Sequence, residues 1–276
     1  ITIAERTPEI RGLGVGVNLL PHAVRELTEL GIADRVAELG VEPGTLTYYN
    51  RHGQLIWSEP RGRDAGYEWP QLSVHRGHLQ LTLRDLVVER LGDVIHLGHK
   101  LVEVREGVAG GRVTGGGVAT FELPDGSRTE LSGDVIVAAD GIHSAARALR
   151  YPDEGAPQWS GLTLWRGTAL VEPYADGRTM VMVGDADQKF VAYPLSGPLE
   201  NGMQRLNFIA ERRIAGSPGA DWNREADRGP IAEMFAGWGT EWLDIPEVIR
   251  TAEELLEAPM VERDAIEAAH YDPAIE

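Results

Sequence analysis

The sequence predicts an α/β fold into which a separate antiparallel sheet is inserted. Apolar strands, glycine-containing turns and amphipathic helices alternate up to about residue 152, which is the pattern of a sheet covered by helices. Beyond that point, four alternating runs follow one another without an intervening helix, which favours an antiparallel sheet. With 276 residues the chain is long enough to bury a full core.

Local signals predict the elements of the first half. Residues 1–5 alternate and end at Glu5, as a short strand before a turn does. Residues 21–31 predict a helix that starts with proline and ends with glycine. Two short runs within 46–57 predict a hairpin. Residues 77–91 predict a long amphipathic helix that stops at the following glycine.

The most informative stretch follows these elements. Residues 135–139 predict a buried strand that runs into an Asp140-Gly141 turn and then into a helix opened by Ser144. An acid at the carboxyl end of a strand lies where open α/β sheets bind ligands. The glycine allows close backbone approach and the serine caps the helix, with Arg147 one turn further on. Such a turn offers a carboxylate for ribose hydroxyls or water, and N–H groups for phosphate.

The second half predicts the inserted sheet. Its strands are predicted at 162–171, 179–183, 189–194 and 205–210, and two short helices near 230–238 and 246–256.

Composition excludes several classes of function. The absence of cysteine excludes disulfides, cysteine-ligated zinc and thiol catalysis. A net charge of −17 disfavours nucleic-acid binding, and no apolar run is long enough to span a membrane. The eight histidines show no metal-ligand spacing. With no leader at its start, the chain is expected to be cytoplasmic. Anionic ligands would need local positive charge, which draws attention to four arginines: Arg11, Arg76, Arg147 and Arg166.

The pattern Asp140-Gly-x-x-Ser-x-x-Arg147 resembles the second fingerprint of the single-component flavin-dependent aromatic hydroxylases, the para-hydroxybenzoate hydroxylase group. Residues 11–31 are similar to the segment after the second strand in these proteins, and their sequence is closest to that of the phenazine-hydroxylating branch. Further blocks that resemble the family are His75-Arg76-Gly-x-Leu79, residues 165–167, 191–194 and 259–264.

The resemblance implies a Rossmann-like FAD-binding domain with an inserted antiparallel-sheet substrate domain. The FAD-binding domain is expected over 1–60 and 74–152, with a small hairpin insertion near 44–73, and the substrate domain over 153–258. In residues 259–276 the chain is expected to return to the FAD-binding domain, of which this last part is incomplete. Two family elements have no counterpart here, the initial strand-turn-helix with Gly-x-Gly-x-x-Gly and the Gly-Asp motif expected after residue 264. The chain is therefore expected to be part of a longer protein.

The resemblance also implies roles for the cofactor residues. Glu5 would bind the adenosine ribose, and Arg76, with Arg11 as a weaker candidate, would neutralise the flavin diphosphate. Asp140 and Gly141 would bind on the flavin ribose or diphosphate side. Arg147 is a further candidate, with pairing to an acid or stabilisation of its helix as the alternative.

For the substrate, the resemblance points to Asn18 at the edge of the flavin-ring cavity, and to Trp165 and Tyr193 on the substrate sheet. Strand alternation places Trp165 on the opposite face from Arg166, so at most some of these residues line the pocket. A core position is the alternative for Trp165 and Tyr193, and a buried turn for Asn18.

The implied function is an FAD-dependent monooxygenase that hydroxylates an aromatic or N-heteroaromatic substrate with NADH or NADPH and O2, through a flavin C4a-hydroperoxide. No catalytic base is identified, and a monomer or homodimer is expected. Two alternatives stay open: a flavoprotein of the same fold with other oxygenation chemistry, or a flavin-free binding module.

Overall fold

The computed structural model describes residues 1–109, 112–215 and 224–264. Contacts divide the chain into two units. Unit 1 comprises Ile1–Glu9, Val94–Ser160 and the described residues from Met260 onward. Unit 2 comprises Ile10–Asp93 and Gly161–Pro259.

The helices in the described part of the chain are α1 (Pro21–Glu29), α2 (Ala33–Ala37), α3 (Arg76–Leu91), α4 (Ala145–Arg150), α5 (Arg228–Met234) and α6 (Ile245–Arg250), with a 3-10 helix at Gly62–Ala65. The strands are β1 (Ile3–Ala4), β2 (Gly16–Leu19), β3 (Gly40–Val41), β4 (Thr45–Tyr49), β5 (Leu55–Pro60), β6 (Leu72–His75), β7 (Ile95–His96), β8 (Lys100–Ala109), β9 (Arg112–Glu122), β10 (Arg128–Gly133), β11 (Gln158–Val171), β12 (Thr179–Gly184), β13 (Gln188–Pro194), β14 (Gln204–Arg213), β15 (Arg224–Glu225), β16 (Gly239–Thr240), β17 (Leu243–Asp244) and β18 (Glu254–Glu262).

Unit 1 contains two small sheets, a parallel pair of β1 and β7 and an antiparallel sheet in the order β10-β9-β8. The predicted strand over residues 135–139 is wrong, because this stretch is irregular and its side chains are exposed, with Val135 at 78% and Val137 at 81%. An apolar run becomes a strand only where a neighbouring strand accepts its hydrogen bonds, and none of the described strands does so. The helix after it forms as predicted, and Ser144 caps α4 by accepting from the Arg147 N–H at 2.9 Å.

Unit 2 is built on an eight-stranded sheet in the order β15-β18-β11-β14-β13-β12-β4-β5. The four predicted consecutive strands are confirmed as β11 to β14. The sheet is mixed rather than purely antiparallel, because β4 pairs in parallel with β12. The predicted hairpin, β4 and β5, thus extends the large sheet instead of forming a separate insertion. A second sheet in the order β2-β6-β3 also belongs to this unit.

One face of the large sheet, the core face, carries the main hydrophobic core. Phe190 and Phe208 are fully buried and stacked with their ring centroids 5.4 Å apart. Phe235, which follows α5, meets Phe190 edge-on at 6.2 Å. Apolar side chains of α5 and α6 complete this cluster, so short helices bury the core face as the apolar alternation of the strands requires.

One predicted element needs correction, and the predicted domain boundaries stay a prediction. Residues 10–60 and 74–93, expected in the FAD-binding domain, cluster by their contacts with unit 2, since β4 pairs with β12 and Gly16 hydrogen-bonds to β14. The helix predicted over 246–256 ends at Arg250, and β18 begins at Glu254. Pairing in the sheet outweighs helical spacing at that point. Residues 110, 111 and 265–276 lie outside the described part of the chain.

Candidate functional site

A glycine-rich loop in unit 2 lies directly against the first turn of α3. A Cβ at Gly77 would lie 2.1 Å from the Gly12 carbonyl oxygen, so both backbones touch where only glycine fits. The Arg76 N–H donates to the Val15 oxygen at 2.8 Å. A Cβ added at Gly14 would lie 3.7 Å from the Arg76 guanidinium. The loop therefore presents a bare backbone beside a cationic side chain.

Two arginines of this unit, Arg76 and Arg166, lie near each other, and each is without an acidic partner among the described residues. Neither Arg76 nor Arg166 forms an ion pair with any described residue, and the buried Nε of Arg166 has no acceptor. Burial lowers the pKa of Arg166, and the like charge of Arg76 lowers it further. The Arg166 guanidinium nevertheless stays charged, because arginine does not deprotonate in proteins. Two neighbouring cations without a carboxylate between them favour an anionic ligand.

Asn207 joins the loop to the sheet. Its Oδ1 accepts from the Gly16 N–H at 2.6 Å, while its buried Nδ2 has no acceptor among the described residues. Asn207 pairs across the sheet with Tyr193, which is 3% exposed. Burial raises the pKa of the Tyr193 phenol, and Arg166 opposes this in part, so the phenol stays protonated. We call this face of the sheet the site face. Its buried Asn207 Nδ2 and Arg166 Nε are hydrogen-bond donors without an acceptor among the described residues.

Asn18 is held in place by its neighbours. Its Oδ1 accepts from the Ser73 hydroxyl at 2.6 Å and from Gln71 Nε2 at 3.1 Å. Gln71 also reaches the Met180 sulfur at 3.2 Å. The predicted site residue Asn18 therefore lies in a polar network that connects β2, β6 and the large sheet.

His75 ends β6 beside this network. Its Nδ1 is buried without a partner, and its ring lies 4.5 Å from that of His78, centroid to centroid. Burial lowers the pKa of His75, and His78 and Arg205 lower it further, against a backbone hydrogen bond to Gly14 and the charge of Glu253. The imidazole is thus held in its neutral form.

A row of half-buried side chains crosses the site face. Cross-strand pairing aligns these residues, namely Tyr48, Met182, Val191, Ile209 and Arg166. At the end of the row away from Arg166 lies a cavity of about 390 Å³. Its lining combines apolar and aromatic side chains, such as Tyr48, Trp57 and Met182, with the charged residues Glu59, Asp185 and Lys189. Its volume falls in the range of small-molecule pockets, roughly 300–1,000 Å³. The row could hold a planar ring against its apolar surface.

The Asp140-Gly141 turn lies in unit 1. Asp140 Oδ2 accepts from the Ala146 N–H at 3.0 Å. Burial opposes ionisation of Asp140, but hydrogen bonds from the Ser144 hydroxyl and from backbone N–H groups hold its pKa below the ordinary value. Gly141 has a φ of 76°, and an added Cβ would meet nothing within 4 Å. An ionised carboxylate and an open backbone thus lie side by side.

Two other predicted cofactor residues of unit 1 have local partners. Arg147 pairs with Glu154, which also pairs with Arg263 at 2.9 Å, so the alternative of an acid partner holds for Arg147. Glu5 directly follows β1, where the sequence predicts a strand end, and accepts from the Thr7 N–H at 2.8 Å. Arg11, a predicted cofactor residue in unit 2, is exposed.

Trp165 lies on the core face, in the main hydrophobic cluster, and its Nε1 donates to Glu257 at 2.9 Å. It does not join Tyr193 and Asn18. Sequence reasoning missed Asn207, Gln71 and Ser73 as members of the site. A single signal was available, the amide of Asn207 inside an otherwise alternating apolar strand.

No group of three or more histidine, cysteine or acidic side chains in the described ranges could hold a metal ion. The helices of those ranges include none that is long and apolar enough to cross a membrane.

Fold and site define a two-unit α/β protein whose mixed sheet carries a cationic ligand site that is rich in hydrogen-bond donors.

No model of a known protein family matches the chain. A phenazine 1,6-dicarboxylic acid hydroxylase, PhzS, from Lysobacter antibioticus is 33% identical over 272 residues, which cover 96% of this chain and 66% of that protein. The salicylate hydroxylase of Pseudomonas putida is 27% identical over 266 residues, or 87% of this chain and 56% of that protein.

Solved structures agree on the fold. Klebsiella pneumoniae HpxO in complex with FAD and uric acid has a TM-score of 0.72 at 20% identity, over 95% of this chain and 62% of that one. The chain belongs to the family of FAD-dependent aromatic hydroxylases. It spans about two thirds or less of the length of these relatives.

Proposed function

We propose that the protein is an FAD-dependent monooxygenase that hydroxylates an aromatic or N-heteroaromatic acid with NADH or NADPH and O2. The observation that carries the proposal is the pair of Arg76 and Arg166, two neighbouring guanidinium groups without an acidic partner in the described chain. Arg76 is exposed, whereas Arg166 is half-buried, so the cost of a charge without a counter-ion falls mainly on Arg166, and an anionic ligand beside the pair would offset it.

The residues present fit FAD. Arg76, beside the bare backbone of Gly14, would neutralise the diphosphate, and Arg11 would add to this charge. In unit 1, Asp140 and Gly141 would take the ribityl or diphosphate side, and Glu5 the adenosine ribose. Because Arg147 is paired with Glu154, we assign it the positioning of α4. When bound, FAD supplies the activation of oxygen and accepts the reducing equivalents of the nicotinamide.

The site face would hold the substrate. Arg166 binds its anionic group, the Tyr193 phenol and the Asn207 amide donate hydrogen bonds, and the row from Ile209 to Tyr48 receives the ring. These groups remain protonated through the reaction, so they orient the substrate and exclude water rather than remove a proton. The relatives named for phenazine-dicarboxylate and salicylate hydroxylation both act on aromatic acids, which supports this substrate class.

A second chemistry stays possible on the same site. One relative, 34% identical over 61% of this chain, is named an aurachin C monooxygenase/isomerase. Mass spectrometry of the product distinguishes simple hydroxylation, which adds one oxygen atom, from a product that has also rearranged or lost a carboxyl group.

The test compares two single variants, Arg166→Gln and Arg212→Gln. Arg212 is the matched control, because it lies on the neighbouring strand β14 and its side chain is on the core face. We expect Arg166→Gln to keep the flavin absorbance and to weaken binding of an aromatic carboxylate about 10- to 100-fold, the range of a lost charge-assisted hydrogen bond. Arg212→Gln should leave both unchanged. A wild-type protein that stays colourless with added FAD would refute the proposal and leave a flavin-free binding module.

A further inference from the structure

A second cavity in unit 2 has no role in the proposal above. It has a volume of about 350 Å³ and lies between the start of α1 and the segment 60–71. Its lining includes His22, Arg25 and Arg61, and none of the described residues that line it is acidic. Cationic lining stands out in a chain with 43 acidic and 26 basic residues. The lining therefore carries guanidinium groups whose acidic partners, Glu26, Glu29 and Glu59, lie outside it.

Both arginines are available to a ligand. The Arg61 Nε is buried without an acceptor, while its Nη1 lies 3.1 Å from Glu59. Arg25 pairs with the adjacent Glu26 at 2.6 Å, and both side chains are about half exposed. Exposed pairs of this kind contribute little, because water screens them. An incoming anion can therefore replace Glu26 at small cost, and at Arg61 it can accept from the buried Nε while Nη1 stays with Glu59.

Aromatic surface lies beside these charges. Tyr67 is 61% exposed and makes no ring contact with any other described aromatic residue. Trp69 is half-buried and packs on the cluster around Val24. An exposed ring next to guanidinium groups is suited to a flat base that carries a phosphate.

The cavity adjoins the site described above. Gln71 belongs to its lining, and the Gln71 amide donates to Asn18 at 3.1 Å. A ligand long enough to pass Gln71 would reach the network around Asn18. Nucleotide cofactors have this shape, with a reactive ring at one end and an adenosine phosphate at the other.

We propose that this cavity binds the adenosine phosphate end of the reduced pyridine nucleotide, with phosphate on Arg25 and Arg61 and adenine on Tyr67. This inference rests on the proposed function. Two guanidinium groups match a phosphate dianion better than a hydroxyl, so the site selects NADPH, with its 2′-phosphate, over NADH.

The experiment titrates purified protein with 2′,5′-ADP and with 5′-AMP, followed by calorimetry, which needs no turnover. We expect 2′,5′-ADP to bind more tightly than 5′-AMP, and Arg61→Gln to weaken 2′,5′-ADP about tenfold. Arg25→Gln should have a smaller effect in the same direction. Arg84→Gln is the matched control, since Arg84 also pairs with an adjacent acid, Asp85, on a helix but lies outside the cavity.

Kinetics separate this inference from the proposed function. KM for NADPH should rise in Arg61→Gln while kcat and flavin content stay near the wild-type values. Equal binding of 2′,5′-ADP to wild type and Arg61→Gln would overturn the inference, as would a rise in KM for the aromatic acid alone, which would make the cavity a substrate entrance. A colourless protein that still binds 2′,5′-ADP through Arg61 would refute the proposed function and leave the nucleotide site standing.

Discussion

The two faces of the large sheet use the same strands for different purposes. Trp165 and Arg166 are adjacent in β11, yet Trp165 is buried in the apolar core with its N–H bonded to Glu257, whereas the Arg166 Nε has no acceptor among the described residues. In the same part of the chain, the buried hydroxyls of Thr163 and Tyr174 also lack partners, so an unsatisfied atom alone does not mark a site. The cost of an unpaired charge is far larger than that of a hydroxyl. A half-buried charge without a counter-ion among the described residues, that of Arg166, is what distinguishes the site face.

The largest expected effect would come from the core face. Phe208→Ala should lower the free energy of unfolding of unit 2 by about 3–5 kcal/mol, because it leaves a cavity beside Phe190 in a fully buried cluster. Ile209→Ala, one residue on and half-exposed on the site face, should cost about 1 kcal/mol. Urea denaturation measures both. Equal losses would show that the two faces contribute alike to the stability of unit 2.

A smaller effect is expected where the loop meets the site face. In Gly16→Ala, the new methyl group would lie 2.7 Å from Asn207 and 2.8 Å from the Tyr193 ring. Relief of this overlap should cost about 1–3 kcal/mol and should weaken flavin retention by displacing the loop. Gly197→Ala is the control, since nothing lies within 4 Å of its added Cβ and its φ is not positive. Thermal unfolding and the flavin absorbance of both variants provide the measurement, and a stability loss without loss of flavin would restrict Gly16 to packing.

The smallest effect concerns pH. Burial, His78 and Arg205 lower the pKa of His75 in the folded chain, with Glu253 and the Gly14 backbone opposing. The unfolded chain therefore binds a proton first as the pH falls, and the stabilisation that neutral His75 provides is present above about 6.5 and is lost below it.

His75→Asn should flatten this part of the pH profile, which urea denaturation between pH 5 and 7.5 would measure. The matched control is His22→Asn in α1, for which the slope should persist. An unchanged slope in His75→Asn would assign the pH dependence to another group.

Much of the fold could be predicted because local chemistry determines it. The proline start of α1, the serine cap of α4 and the alternation of β11 to β14 are properties of neighbouring residues. Residues 135–139 show the limit of this reasoning, because their apolar character predicts burial but the formation of a strand depends on a partner elsewhere in the chain. The parallel pairing of β4 with β12 is likewise a contact between distant segments.

Motifs and periodicity are local, so the amino-acid sequence is sufficient to predict the family, the Asp140-Gly141 turn and the alternation that separates Trp165 from Arg166. Which arginines are neutralised depends on the folded structure. Arg147 pairs with Glu154, which also pairs with Arg263. Arg76 and Arg166 have no ion pair with an acid in the described chain. Nothing in the local sequence distinguishes these side chains. Their difference arises from through-space electrostatics, which depends on the distance between residues far apart in the chain.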